Sequence, residues 1–342
     1  GYFNMPKILE LTLHNGFDTR TQKQLGLKTG EPADFRSFEQ LLNAFKAQVE
    51  HFIRIKIIGN NTIEKIFMNH IPTPFLSIII DDCVARGMDY IQGGSRYNSN
   101  YIQGVGMGTM TDALTALRLH VFDNKSITLP AFVNALMENF ENHDDLLYQL
   151  LYKTPKYGND DDYADEQLVK IFDIYHDAVK GHRSPRGAEY RINLLPTTCH
   201  VYFGSVMHAS PDGRKAGLPV SEGISPVQGA DKNGPTSVVK SAAKIDHLHT
   251  GGTLLNQRFS PNFFGDDSSI RKVSGLVRSY FRMNGHHIQF NVVDSNILRD
   301  AQKNPENYRS LIVRVAGYSD YFNDLGLDLQ NEIIERTAHD DM

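Results

Sequence analysis

Residues 314–337 read RVAGYSDYFNDLGLDLQNEIIERT, and this stretch decides the interpretation of the whole chain. Gly317 interrupts an apolar stretch with a helical pattern and is flanked by Val315, Ala316 and Tyr318. Glycine at such a position is ordinarily a turn residue, because it adopts left-handed backbone conformations without steric cost. Glycine is also the residue whose α-carbon radical becomes planar without a side chain that collides with the neighbouring peptides. Such a radical needs a dry, shielded site, and the apolar flanks suit one.

The composition is that of a globular protein. Its 342 residues suffice for two ordinary domains or one large α/β unit. Lys and Arg total 35 against 40 Asp and Glu, and this slightly acidic balance argues against a nucleic-acid partner, which would need a cationic face. No apolar run approaches the roughly 20 residues of a membrane span, and the first residues show no signal-peptide pattern. We therefore expect a cytoplasmic protein that binds neither nucleic acid nor membranes.

Helix-like and strand-like patterns alternate along the chain, which predicts an α/β or α+β fold. Apolar spacing and capping residues predict helices over residues 5–14, 38–70 and 305–314. Short runs of β-branched and apolar residues predict strands over residues 190–195, 200–203 and 287–293. The apolar run at 74–80 predicts a buried strand or the start of another buried segment.

Three other patterns suggest chemistry, and in each we prefer the ordinary structural explanation. The glycines of GVGMG at 104–108 are spaced wrongly for a dinucleotide loop, and no Walker lysine follows, so we expect a tight structural loop. The histidine pairs lack the spacing of a metal site, so no metal is expected. Cys83 and Cys199 are expected to be structural. Adjacent residues of a strand point to opposite faces, so His200, where the predicted strand begins, would not activate the thiol of the preceding Cys199.

The stretch around Gly317 resembles the glycyl-radical signature of the pyruvate formate-lyase superfamily of glycyl radical enzymes. The matched residues lie at fixed spacing and are Arg314, Val315, Ala316, Gly317, Tyr318, Ser319, Tyr321, Phe322, Leu325, Gln330, Ile333, Ile334, Arg336 and Thr337. The resemblance covers the whole chain and includes GHHIQFN (285–291), PDGR (211–214), GISP (223–226), GPT (234–236) and GGSRYN (93–98).

For the fold, the resemblance implies the C-terminal part of the ten-stranded glycyl-radical-enzyme α/β barrel. In that family two parallel half-sheets are set antiparallel to each other and wrapped by helices, and the glycyl radical loop enters the centre. On this basis, residues 1–220 are expected to form the C-terminal part of a pyruvate formate-lyase-like barrel domain. Residues 221–342 are expected to form a glycine radical domain.

For the function, segments 1–4, 9–16 and 196–200 resemble the branch of that family that eliminates water from trans-4-hydroxy-L-proline. The resemblance implies a hydro-lyase that gives pyrroline-5-carboxylate, with Gly317 as the radical carrier and with Tyr2 and Thr197 lining the substrate pocket. It implies no bound metal or organic cofactor, because a radical S-adenosylmethionine activating enzyme installs the radical on the backbone. It also implies a homodimer for the full-length enzyme.

One feature of the family pattern does not occur in this sequence. The family's thiyl-forming cysteine lies in a Gly-Cys-x-Glu loop just before the segment that matches residues 1–3, and neither Cys83 nor Cys199 has that context. We therefore expect the C-terminal portion of a longer enzyme, inactive by itself, whose helices at 5–14 and 38–70 expose apolar faces. Two alternatives remain open. One is another glycyl radical enzyme, acting on a diol, glycerol, choline or pyruvate. The other is a stand-alone radical-bearing spare part that docks onto an oxygen-damaged enzyme.

Overall fold

The computed structural model describes residues 1–339 as alternating helices and strands. The strands are β1 (Tyr2–Asn4), β2 (Phe17–Asp18), β3 (Lys23–Gln24), β4 (Ser99–Val105), β5 (Glu189–Leu194), β6 (Thr250–Thr253), β7 (Asn256–Phe259), β8 (Gln289–Val292), β9 (Ile312–Arg314), β10 (Ser319–Tyr321) and β11 (Ala338–His339). The helices are α1 (Met5–Leu13), α2 (Phe38–His70), α3 (Pro74–Ser77), α4 (Cys83–Arg86), α5 (Met107–Leu117), α6 (Leu129–Met137), α7 (Asp144–Tyr152), α8 (Asp162–Val179), α9 (Cys199–Ser205), α10 (Gly234–Ala242), α11 (Asp267–Arg282), α12 (Ser295–Lys303) and α13 (Leu327–Glu335).

Two parallel sheets form the framework. The first has four strands in the order β1-β4-β5-β6, and the second has three in the order β11-β7-β8. Only Leu254 and Leu255 separate β6 from β7, so the chain passes directly from one sheet to the other. The pairs β2/β3 and β9/β10 are antiparallel hairpins. Parallel strands connected by helices confirm the predicted α/β fold.

The main core lies where α1, α2, α5 and α8 pack on one another beside the four-stranded sheet. Every residue of α5 is buried. A Cβ atom at Gly104 would lie 2.7 Å from the Tyr175 ring, whose hydroxyl donates to the Ile102 carbonyl at 2.8 Å. At Gly106 the φ angle is +86°, and a Cβ there would lie 2.6 Å from Pro6. The glycines of this loop therefore allow close packing and a left-handed turn, in line with the structural explanation.

Residues 200–203 belong to helix α9, so the predicted strand is wrong. Val201, Tyr202 and Phe203 are typical strand residues, but the turn in which the Cys199 amide donates to the Pro196 carbonyl, at 3.0 Å, starts a helix. Tertiary packing outweighs the local preference. Cys199 and His200 are therefore consecutive residues of one helix and do not point to opposite faces of a strand.

Two further segments differ from the sequence prediction. Residues 305–314 are helical only over Pro305–Tyr308, because Ile312–Arg314 pairs with β10 as strand β9. Residues 74–80 do not form a buried strand. They begin with helix α3 and expose 79% of Phe75, because Pro74 suits the first turn of a helix and Ser77 is bound to the Asp89 carboxylate at 2.8 Å.

Helices α1 and α2 differ in how much of their apolar surface is covered. The prediction of an exposed apolar face is wrong for α1, whose residues other than Lys7 are all buried. It holds for the second half of α2, where Ile58, Ile63 and Ile66 are more than half exposed. Over residues 1–339, no helix combines the length and the apolar character needed to cross a membrane.

Asp112, in the fully buried helix α5, makes stability depend on pH. Its Oδ1 atom accepts from the Tyr157 amide at 2.8 Å, and Lys156 Nζ lies 3.8 Å from Oδ2. Burial raises the pKa of this carboxyl from 3.8 to about 7, although Lys156 opposes the shift. Between pH 3.8 and about 7, Asp112 therefore keeps its proton in the folded protein, whereas in the unfolded chain it has already released that proton. As a result, the free energy of unfolding falls as the pH rises from 4 to 7.

We predict that Asp112→Asn prevents the fall in the free energy of unfolding between pH 4 and 7, because the side-chain amide keeps the hydrogen bond to Tyr157 and does not ionise. Above pH 7 the variant should be more stable than the native protein by about 2–4 kcal/mol, and near pH 4 the two should be similar. Urea denaturation at both pH values measures the difference, with the exposed Glu50→Gln as the matched control. A variant that is less stable at pH 8 would contradict the assignment.

Candidate active site

Gly317 lies at the tip of the β9–β10 hairpin. The Val315 amide donates to the Tyr318 carbonyl at 2.9 Å and closes the turn over residues 315–318. Gly317 has a φ angle of +86°, which favours glycine. There is room for a side chain, because a Cβ atom at this position would lie at an ordinary contact distance of 3.5 Å from Leu254. Backbone conformation, rather than lack of space, therefore makes glycine the preferred residue. The helical pattern expected around Gly317 is wrong, because pairing between the two short strands replaces it.

The hairpin is held on the three-stranded sheet by side-chain amides. Asn291 accepts from the Arg314 amide and donates to the Arg314 carbonyl, both at 2.7 Å. Gln289 Oε1 accepts from Arg314 Nε at 2.9 Å and from the Gly317 amide at 3.3 Å. Asn256 Nδ2 donates to the Val315 carbonyl at 3.2 Å. Side chains of β7 and β8 thus bind the backbone of the turn.

None of these three amides was predicted as a site residue from the sequence. Gln289 and Asn291 alternate along β8, within the matched segment GHHIQFN, and alternation places both on one face of the strand. This alternation can be recognised from the sequence alone and would have identified Gln289 and Asn291 as candidates. Asn256 carries no comparable signal, because its role follows from the contact between β7 and the hairpin.

A buried ion pair lies under the same turn. Arg336 Nη1 donates to the Val315 carbonyl at 3.0 Å, and the guanidinium binds both oxygens of Glu332 at 3.0 and 2.8 Å. His200 Nε2 lies 3.4 Å from Glu332. Burial would raise the pKa of Glu332, but the charges of Arg336 and His200 outweigh it and hold that pKa well below its ordinary value. The hairpin, α13 and α9 therefore meet at one carboxylate.

Tyr2 and Thr197, predicted as pocket residues, are brought together. Tyr2 lies on β1, and Thr197 follows β5 just before α9. The two hydroxyl oxygens are 3.1 Å apart, and Thr197 Oγ1 donates to the Pro196 carbonyl at 2.6 Å, so the Tyr2 hydroxyl is the donor of the pair. Thr197 has a φ of +51°, a costly conformation for a β-branched residue.

The hydroxyl pair and the glycine hairpin are connected through Leu254. The Leu254 amide donates to the Leu194 carbonyl at 3.1 Å, at the end of the strand that leads to Thr197. The Leu254 side chain is also the nearest neighbour of a Cβ atom built on Gly317. Gly317 itself is exposed, although Val315 and Ala316 are buried. The expected dry, shielded surroundings are therefore not formed by residues 1–339, because the turn points its tip away from their core.

The two cysteines lie in different surroundings. Cys83 is 2% exposed at the start of α4. Cys199 is partly buried, and burial raises the pKa of its thiol although Thr197 opposes the shift. A raised pKa disfavours the thiolate that nucleophilic chemistry requires.

Comparison with known proteins finds relatives over the whole chain. The family model of pyruvate formate lyase-like proteins matches residues 1–204, and that of the glycine radical region matches residues 220–323. The trans-4-hydroxy-L-proline dehydratase of Clostridioides difficile is 56% identical over 98% of this chain and 43% of its own length.

Solved structures give the same fold. The crystal structure of hydroxyproline dehydratase from Clostridioides difficile, with substrate trans-4-hydroxy-L-proline bound, has a TM-score of 0.98 at 55% identity, over 100% of this chain and 43% of that one. Glycerol-bound B12-independent glycerol dehydratase from Clostridium butyricum has a TM-score of 0.96 at 41% identity, over 99% and 43%. This chain therefore spans about two fifths of the length of these relatives.

We predict that Glu332→Gln destabilises the protein by about 3–5 kcal/mol at pH 7, because it leaves the Arg336 charge buried without its carboxylate. The folded pKa of Glu332 lies below its ordinary value, so the ion pair contributes fully above about pH 4.5 and is lost as the pH falls further. The difference between variant and native protein should therefore narrow in acid. Chemical denaturation at pH 7 and pH 4 tests this, with the exposed Glu335→Gln on the same helix as control. Equal unfolding free energies at pH 7 would refute the prediction.

Proposed function

This chain belongs to the pyruvate formate lyase-like family of glycyl radical proteins, and on that premise we propose that the whole protein is a cytoplasmic hydro-lyase that dehydrates trans-4-hydroxy-L-proline. The observation that carries the proposal is the 56% identity to the dehydratase that acts on this compound, against 41% to the glycerol dehydratase. The contact between Tyr2 and Thr197 supports it, because the resemblance to the hydroxyproline branch implies that both residues line the substrate pocket.

Gly317 is the radical carrier in this proposal. A radical S-adenosylmethionine activating enzyme removes one hydrogen atom from its α-carbon, and the remaining unpaired electron is shared with the flanking amide nitrogen and carbonyl. The proposal divides the chain into a barrel portion, residues 1–220, and a glycine radical portion, residues 221–342. The ranges of the two family models support this division.

Turnover needs a cysteine that this sequence does not provide in the required context. Neither Cys83 nor Cys199 lies in a Gly-Cys-x-Glu segment, so the proposal assigns the thiyl cysteine and its glutamate to the additional length of the whole enzyme. There, hydrogen-atom transfer to the glycyl radical converts the cysteine to a thiyl. The thiyl then takes a hydrogen atom from the substrate carbon next to the hydroxyl or the ring nitrogen.

The remaining steps eliminate water from the substrate radical and return the hydrogen atom. The substrate hydroxyl takes a proton from the glutamate and leaves as water with the electron pair of the broken C–O bond. The ring nitrogen gives up one proton, which restores the glutamate, and the cysteine returns a hydrogen atom to give the pyrroline-5-carboxylate. Tyr2 and Thr197 hold the substrate in this scheme. The proposal includes a homodimer for the whole enzyme.

We predict that Tyr2→Phe and Thr197→Val each lower kcat/KM for trans-4-hydroxy-L-proline by about 10- to 100-fold, because each breaks the hydroxyl pair and leaves a polar partner unsatisfied. The measurement uses the whole protein after activation under anaerobic conditions. Thr197→Ser, which keeps the hydroxyl, and the cysteine variants Cys83→Ser and Cys199→Ser should retain most activity. A higher kcat/KM for glycerol than for hydroxyproline would reject the proposed substrate.

We also predict that the activated protein shows a doublet in electron paramagnetic resonance and that oxygen then cuts the chain at Gly317. The cut should release a C-terminal fragment that begins at Gly317, because a peroxyl radical at the α-carbon decomposes by main-chain cleavage. Gly317→Ala should abolish the signal, the cut and turnover together, since a methyl group is strained at a φ of +86° and crowds a planar radical. The exposed Gly326→Ala, where a Cβ meets open space, is the control. Cleavage at another glycine would refute the assignment.

A further inference from the structure

Gln289 uses both ends of its carboxamide on the glycine hairpin and its support. The residue is 7% exposed at the start of β8. Its oxygen accepts from the Gly317 amide at 3.3 Å and from Arg314 Nε at 2.9 Å. Its nitrogen donates to Asn256 Oδ1. Each of these contacts requires the carboxamide in one orientation, because the backbone amide and the guanidinium can only donate.

Asn256 extends this arrangement to the other side of the turn. It is 8% exposed, and its nitrogen donates to the Val315 carbonyl, which can only accept. The two side-chain amides thus connect the Val315 carbonyl to the Gly317 amide, two residues further along the chain. Together they fix the peptide planes on both sides of Ala316. The orientation of the Gly317 N–H bond is therefore set from the sheet and not by the hairpin alone.

We propose that Gln289 is the positioning residue of Gly317: by binding its amide, Gln289 holds the α-carbon in the place from which hydrogen is transferred. This inference rests on the proposed role of Gly317 as the radical carrier. Gln289 acts through the backbone of Gly317 and does not itself exchange an atom or an electron. Its contribution differs from that of the Arg336–Glu332 ion pair, which holds the Val315 carbonyl.

Two substitutions of Gln289 distinguish its hydrogen bond to Gly317 from its hydrogen bond to Asn256. Gln289→Ala removes both the acceptor for Gly317 and the link to Asn256, so the turn loses its support on one side. Gln289→Glu keeps an acceptor for Gly317 and Arg314 but faces Asn256 Oδ1 with a second acceptor. We expect Gln289→Glu to lie between the native protein and Gln289→Ala. Gln302→Ala is the matched control, since it removes a side-chain amide that donates to Asn331 at 2.9 Å, away from the hairpin.

The first measurement does not depend on radical chemistry. Hydrogen–deuterium exchange of peptic fragments that cover residues 312–321 should be about tenfold faster in Gln289→Ala than in the native whole protein, because the Gly317 amide has lost its acceptor. The melting temperature is measured in parallel, so that exchange from global unfolding is recognised. Should Gln289→Ala not fold, Gln289→Glu with a native melting temperature carries the comparison.

The second measurement divides the turnover rate by the spin concentration of the activated enzyme. Gln289→Ala should lose at least tenfold in turnover per spin, whereas Gln302→Ala should match the native enzyme. Unchanged exchange and unchanged turnover per spin in Gln289→Ala would overturn the inference. A native enzyme without any glycine-centred doublet would refute the proposed function instead, and the exchange rates would then decide by themselves whether Gln289 positions Gly317.

Discussion

The buried pair of Arg336 and Glu332 connects the glycine hairpin to the rest of the molecule. The guanidinium binds the carboxylate with two hydrogen bonds and uses Nη1 for the Val315 carbonyl. His200 approaches the same carboxylate from α9, the helix that begins just after Thr197. A buried pair of this kind is costly to break, because the remaining charge is left without a partner. It therefore gives the hairpin a defined place although the hairpin strands are only three residues long.

The support of Gly317 combines the charged Arg336, which donates to the Val315 carbonyl at 3.0 Å, with neutral carboxamides that contact the same turn. Gln289, Asn256 and Asn291 contact the backbone of the turn, and none of them titrates. Carboxamides can satisfy amide and carbonyl groups without placing an ionisable side chain against the α-carbon.

The passage between the two sheets explains how distant parts of the chain meet. Leu254 and Leu255 follow β6 in the first sheet and lead directly into β7 in the second. The Leu254 amide is bonded to the Leu194 carbonyl at the end of β5, three residues before Thr197, and the Leu254 side chain lies 3.5 Å from a Cβ atom built on Gly317. Leu254 therefore contacts both the end of β5 and the glycine turn.

Features that depend on neighbouring residues could be predicted from the sequence. Helix α2 begins after Ser37, whose side chain accepts from the Gln40 amide, as its capping pattern predicts, and Gly317 stands out by its motif. The segments 200–203 and 305–314 were mispredicted, because packing of α9 and pairing of β9 outweigh local preference. The contact of Tyr2 with Thr197, the hydrogen bonds from Gln289 and Asn256 to the turn, and the exposure of Gly317 are visible only in the folded protein. The difference lies in how far apart along the chain the interacting residues are. Caps and periodic patterns act within a few residues, whereas these contacts join residues tens to hundreds of positions apart and form only once the sheets are assembled.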